Sequence, residues 1–167
     1  SEILDDLKGN ISIGHVRYST TGSSLLVNAQ PLLTNSIKGD LALAHNGNLK
    51  NGNELKENLE AHGSIFHSTL DTEVIAHLVA RSFKDDIIEA LIQSLQQLKG
   101  AFSLVAMTKD SLIAARDPHG FRPLVLGRAE DKFVVASETC AFANLGYEIE
   151  KFLGPGEIVR ITADGYE

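Results

Sequence analysis

After Gly100 the chain changes period. The runs AFSLVAM (101–107), SLIAAR (111–116), PLVLG (123–127), KFVVAS (132–137) and EIVRI (157–161) are short and apolar, and turn formers such as Asp-Pro-His-Gly and Gly-Pro-Gly separate them. Runs of this length bounded by turn residues read as strands that return on one another in an antiparallel meander. Before Gly100 the spacing is helical. Residues 51–62 place Leu55 and Leu59 at i, i+4 and stop at Gly63, as a surface helix closed by a C′ glycine would. A second helix opens at Asp71, whose carboxylate can accept from the free amides of the first turn, and carries Val74, Ile75, Leu78 and Val79 on one face. A third over 84–98 presents Ile87, Ile88, Leu91, Ile92, Leu95 and Leu98, with Gly100 after it. Short strands are expected at 11–17 and 41–46, joined by a turn-rich connection over 20–40. Strands, then packed helices, then hairpins specify an α+β fold with antiparallel sheet rather than a parallel βαβ architecture.

A chain of 167 residues, 43% hydrophobic and 22% charged, can bury a core as one domain, 1–167. The net charge of -7, with 15 scattered Lys and Arg, offers no basic field for nucleic acid. No run approaches the length of a membrane span, and the lone Cys140 fits a reducing compartment, so a cytoplasmic protein is expected. Cys140, after a strand and before an apolar segment, reads as a buried, inert thiol. The six histidines show no paired spacing for a metal.

Three polar positions are not explained by a core. Arg17, at the end of a strand and beside a cluster of hydroxyls, can form a surface ion pair or grip a carboxylate through two parallel bonds. Asn46-Gly47 has the chemistry of a hairpin turn, yet a helix follows it. An Asn amide beside a Gly N–H is also what an oxyanion hole needs. Asp71 is either a helix cap or an anion for a substrate ammonium. Together they suggest a pocket for a small zwitterion with a carbonyl elsewhere, such as an amino acid with an amide side chain.

The motifs GHVRYSTTG (14–22), NAQPLL (28–33), LALAHNGNL (41–49), GSIFHSTLDTEVIAHL (63–78), LKGAFSLVAM (98–107), DPHGFRPLVLG (117–127) and VVASETCAF (134–142) cover nearly the whole chain in order. In these the chain resembles the glutaminase domain of the class II glutamine amidotransferases. DPHGFRPL and ASETCAF point to the purine-synthesis branch, whose members pass ammonia to phosphoribosyl pyrophosphate.

The resemblance implies an N-terminal-nucleophile, four-layer αββα sandwich of antiparallel sheets flanked by helices. It implies that Arg17, with Thr20 or its neighbours, binds the glutamine α-carboxylate, that Asp71 takes the α-ammonium, and that Asn46 and Gly47 form the oxyanion hole. In the family an N-terminal cysteine attacks the amide, its own α-amino group acting as base. Here residue 1 is Ser, followed by a polar segment. The resemblance therefore puts the nucleophile, the first strands and a phosphoribosyltransferase domain outside 1–167, and implies that this segment alone does not hydrolyse glutamine. Magnesium for the phosphoribosyl pyrophosphate reaction, and the iron–sulfur cluster of some members, would belong to those other parts, with no cofactor in this segment. An open sheet edge left by absent strands implies a homo-oligomer. The alternatives are a glucosamine-6-phosphate- or asparagine-forming relative, or a glutamine-binding module without catalysis.

Overall fold

A computed structural model describes residues 9–16, 25–142 and 145–167. The elements run β1 (Leu32–Ser36), β2 (Gly39–Leu49), α1 (Gly52–Ala61), α2 (Asp71–Arg81), α3 (Ile87–Leu95), β3 (Gly100–Met107), β4 (Leu112–Arg116), β5 (Val125–Ala129), β6 (Lys132–Ala136), β7 (Glu148–Phe152), β8 (Ile158–Thr162) and β9 (Gly165–Tyr166). Every strand pairing is antiparallel. One sheet has the order β1-β2-β3-β4-β8-β9 and the other β6-β5-β7.

Alternation along the central strands gives the larger sheet two apolar faces. Leu41, Leu43 and Leu49 of β2, Phe102, Leu104 and Ala106 of β3, and Ile113 and Ala115 of β4 meet Leu59 of α1, Val74, Ile75, Leu78 and Val79 of α2, and Ala90, Leu91 and Leu95 of α3. On the other face Ala114 of β4 with Val159 and Ile161 of β8 meet Leu126 of β5, Phe133 and Val135 of β6, and the flanking Leu124 and Leu153. Each Val, Leu, Ile or Phe side chain among these contributes about 1.5–3 kcal/mol if fully removed from water. The helices, the larger sheet and the smaller sheet are thus stacked layers, the antiparallel α+β arrangement that the periodicity predicts.

The expected meander splits in two. At Asp117 the chain leaves the larger sheet, because the Asp117 carboxylate accepts from the N–H groups of His119 (2.9 Å) and Phe121 (3.0 Å) and folds the Asp-Pro-His-Gly turn around itself. β4 therefore pairs with β8, and β5, β6 and β7 form the second sheet. Residues 11–16, expected as a strand, belong to neither sheet: Ile11, Ile13 and His15 are half-buried and Ser12, Gly14 and Val16 exposed, so the pattern of a strand is present without its ladder. The 20–40 connection, conversely, holds β1 and its two-residue turn Ile37-Lys38 into β2. The third helix is shorter than the 84–98 predicted. Asp86 caps it by accepting from Ile88 and Glu89 N–H (2.9 Å each), and Leu98 stays buried through a tight turn beyond its end.

Gly63 ends α1 as expected. Its φ is +87°, and the N–H groups of Gly63 and Ser64 return to the carbonyls of Glu60 (2.9 Å) and Leu59 (3.0 Å). Nothing lies within 4 Å of where a Cβ would stand. Gly63→Ala should therefore cost only the backbone conformation, about 1 kcal/mol, read as a small fall in the denaturation midpoint at unchanged slope.

Candidate active site

The site is built on one edge of β2. β1 accompanies β2 only as far as the pair Leu32 with Leu43. Beyond it, the main chain of His45 is clasped by the side chain of Gln30, whose Oε1 accepts the His45 N–H (2.7 Å) while its Nε2 donates to the His45 carbonyl (3.3 Å). Four residues further along the same edge, Leu49 N–H donates to Asp71 Oδ2 (3.1 Å). Gly47 stands between them. Its β3 neighbour Phe102 commits its own carbonyl and N–H to Asp117, accepting from Asp117 N–H (2.9 Å) and donating to Asp117 Oδ2 (3.4 Å). In an antiparallel ladder, polar groups alternate between the two edges. The N–H of Gly47 thus faces the same open edge as those of His45 and Leu49.

The Asn46-Gly47 pair is therefore not a hairpin turn. Both residues lie inside β2, opposite Ser103 and Phe102 of β3. Asn46 sits half-buried on the opposite parity from His45, and among the described residues its side-chain amide has no hydrogen-bond partner. Gly47 is required by packing: its φ is +154°, and an added Cβ would stand 2.0 Å from the Ala101 carbonyl oxygen.

Asp71 is not a helix cap. Leu70 holds the N-cap position of α2 without a side-chain bond, and the Asp71 carboxylate reaches across to β2. Oδ1 accepts from His45 Nδ1 (3.2 Å), fixing the proton on that nitrogen, and Oδ2 accepts from Leu49. The loop before α2 is secured instead by Glu73, which accepts from His67 N–H (2.8 Å) and from Ser68 N–H (2.7 Å) and Oγ (2.6 Å). Burial works against the Asp71 charge. The hydrogen bond and electrostatic attraction of His45, with the N–H groups of Leu49 and Thr72, outweigh it and hold the carboxyl below its ordinary value.

Asn46, Gly47 and Asp71 all line one cavity of about 1090 Å³. His15 and Val16 line it too. Arg17 and Thr20 lie outside the described residues. Gln30, His45, Arg122, Ser137 and Glu138 also line it and were not singled out by the sequence. Their signal was present only in the motif text around them, NAQPLL, LALAHNGNL, DPHGFRPL and ASETCAF. A cleft of about 1110 Å³ alongside both sheets, lined by residues such as Ile13, Val105 and Phe133, holds none of the described site residues.

Cys140 is a correction. It is exposed on a short 3-10 turn, Thr139–Ala141, and does not line the cavity. The buried member of that motif is Phe142, which packs over Gly127. Among the described residues no group of three or more His, Cys, Asp or Glu side chains could hold a metal ion, and no helix is long and apolar enough to cross a membrane.

Antiparallel sheets with helices against one face, and Asn46, Gly47 and Asp71 together on one cavity, match what the motif resemblance implies for a glutaminase domain. The chain belongs to the glutamine amidotransferase domain family, whose model matches residues 15–144. Within that family it is similar to amidophosphoribosyltransferases. It is 48% identical over 163 residues to amidophosphoribosyltransferase 2, chloroplastic, of Arabidopsis thaliana, covering 97% of this chain and 29% of that protein. It is 49% identical to the amidophosphoribosyltransferase of Methanocaldococcus jannaschii, covering 96% of this chain and 35% of that one. The solved glutamine phosphoribosylpyrophosphate amidotransferase of B. subtilis, complexed with ADP and GMP, superposes with a TM-score of 0.86 at 47% identity, over 92% of this chain and 33% of its own. The fold is accordingly that of the N-terminal-nucleophile amidotransferase domain, and the chain spans about a third of the length of these relatives.

Proposed function

We propose that this chain is the glutamine-hydrolysing part of an amidophosphoribosyltransferase, a protein that releases ammonia from glutamine and delivers it to phosphoribosyl pyrophosphate, forming 5-phosphoribosylamine for purine synthesis. The observation that carries this is the meeting of Asn46, Gly47 and Asp71 on one cavity of a family member. In this reading Arg17 binds the glutamine carboxylate, with Thr20 beside it, and Asp71 binds the ammonium. A cysteine outside this chain attacks the side-chain amide carbon. The developing oxyanion is met by the Asn46 amide and the Gly47 N–H, and ammonia departs as the tetrahedral species collapses to a thioester that water then hydrolyses to glutamate. The half-buried Asn46 amide suits this role, because it lines the cavity and among the described residues has no other hydrogen bond to give up.

Magnesium for the phosphoribosyl pyrophosphate reaction, and an iron–sulfur cluster where the complete protein carries one, are assigned to residues outside 1–167. The reducing setting that Cys140 tolerates as an exposed free thiol supports a cytoplasmic location. The outer edge of β1, unpaired among the described residues, and the exposed Leu33 of β1 and Ile37 of the turn after it (76% and 99%) support a homo-oligomer, which light scattering of the complete protein tests.

The complete gene product is expected to release ammonia from glutamine and to produce pyrophosphate from phosphoribosyl pyrophosphate in step with it. Ammonia transfer to a sugar phosphate or to aspartate instead would assign another amidotransferase, and glutamine binding without ammonia release would make this a binding module. In the same protein Asn46→Ala should lower kcat roughly a hundredfold, the scale of losing one oxyanion donor, while KM for glutamine changes much less.

A further inference from the structure

We infer that His45 is a positioning residue for ammonium recognition, its Nδ1–H holding the Asp71 carboxylate in the orientation that presents it to the α-ammonium of glutamine. The inference rests on the proposed glutamine site and goes beyond it, since it assigns a role to a side chain on the opposite parity of β2 from Asn46.

The geometry is one-sided. The Asp71 oxygens are held from within the protein, Oδ1 by His45 Nδ1 and Oδ2 by Leu49 N–H, with the Thr72 N–H alongside. The Asp71 side chain remains 27% exposed on the cavity while that of His45 is 1% exposed. A carboxylate has about four lone-pair sites. At most three are occupied from the protein side, which leaves room for a ligand donor. His45 in turn cannot shift, because Gln30 clasps both its N–H and its carbonyl, and Thr72, next to Asp71, donates its hydroxyl to the same Gln30 Oε1 (3.3 Å).

Stability alone does not call for a histidine at this position. Leu41, Leu43 and Leu49 share its parity and are core residues. The second ring nitrogen, His45 Nε2, is buried with no hydrogen-bond partner. A buried, unpaired polar atom disfavours folding, and a leucine would avoid it. The polar contact the ring makes in return is the one to Asp71, which is the pattern of a residue kept for orienting another, as the outer hydrogen bonds of metal ligands do.

Calorimetry on the complete gene product, its nucleophilic cysteine replaced by alanine in every variant so that glutamine is not turned over, separates the possibilities with two probes, L-glutamine and glutarate monoamide, which lacks the ammonium. The wild type should prefer glutamine. His45→Leu should weaken glutamine about tenfold or more, leave glutarate monoamide within twofold, and keep the melting temperature near or above that of the wild type. His45→Asn, whose amide nitrogen replaces Nδ1, should restore most of the loss. Equal weakening of both probes together with a lower melting temperature would mean that His45 only supports the fold, and overturns the inference. So does unchanged glutamine affinity in His45→Leu when Asp71→Asn has lost it. If Asp71→Asn itself keeps the preference, or the folded wild type binds neither probe, the proposed ammonium site fails and this inference falls with it.

Discussion

Asp71→Ala should reduce glutamine affinity by about a hundredfold to a thousandfold while leaving the fold in place. Truncating one partner of a hydrogen-bonded, partly buried charge pair costs about 2–5 kcal/mol. Here the loss has two sources. The substrate ammonium loses its counter-charge, and the His45 Nδ1–H and Leu49 N–H lose the acceptor they share. Asp71→Asn separates the two, because its carbonyl oxygen can still accept one of those bonds while the charge is gone. Titration calorimetry with glutamine checks both variants, and a loss below threefold in Asp71→Ala would remove Asp71 from the site. The pH dependence follows from the same contacts. The Asp71 carboxyl is held below its ordinary value in the folded protein, so the charge and the stability linked to it are present at neutral pH and lost only as pH falls through that lowered value. Glutamine affinity should therefore show no acid limb from Asp71 between pH 8 and about 5, above the usual carboxylate range.

The helices and the central strands were legible because their apolar residues recur at 3.6 or 2 and because a helix end can carry local chemistry, as at Gly63. β7 was missed for the opposite reason. Glu148, Ile149 and Glu150 are all exposed, so EIEKF carries no buried face for a pattern to reveal. The strand exists through its pairing with β5, a contact remote in sequence. The same distance in sequence hid the site. Asp71 looked like a helix cap because capping is a local option, but β2 offered its carboxylate the stronger donors of His45 and Leu49, 26 and 22 residues away. Asn46-Gly47 looked like a turn because dipeptide propensity cannot see β3 arriving alongside. Cys140 looked buried because its neighbours are apolar, whereas a single turn of 3-10 helix puts Phe142 inward and the thiol outward. The motif resemblance supplied what local propensity could not, since it carries the long-range arrangement in its residues.

Gly47→Ala should destabilise the chain by more than about 4 kcal/mol, the range reached by changes that force backbone apart. An added Cβ would lie 2.0 Å from the Ala101 carbonyl oxygen and 2.8 Å from Phe102 Cα. These are main-chain atoms of β3, so relief requires β2 and β3 to separate in the middle of the core sheet. Gly100 shows the same crowding from the other strand, its Cβ position lying 2.5 Å from the Asn48 carbonyl oxygen. For a domain of this size the fall in melting temperature should exceed about 10 °C. Gly39→Ala is the control, since Gly39 also has a positive φ, +115°, but nothing within 4 Å of its Cβ position, and should lose only the backbone cost of about 1–3 kcal/mol. A melting temperature within 2 °C of the wild type in Gly47→Ala would show that β3 does not approach as closely as described. The crowding also bears on how the glycine is to be understood. Packing against Ala101 already demands glycine at 47, so its identity alone says nothing about catalysis. What the functional reading uses is the direction of its N–H toward the edge that β1 leaves open. A substitution that kept the strands together but turned that N–H away would affect ammonia release without affecting the fold, and Gly47→Ala does the reverse, acting on the strands first.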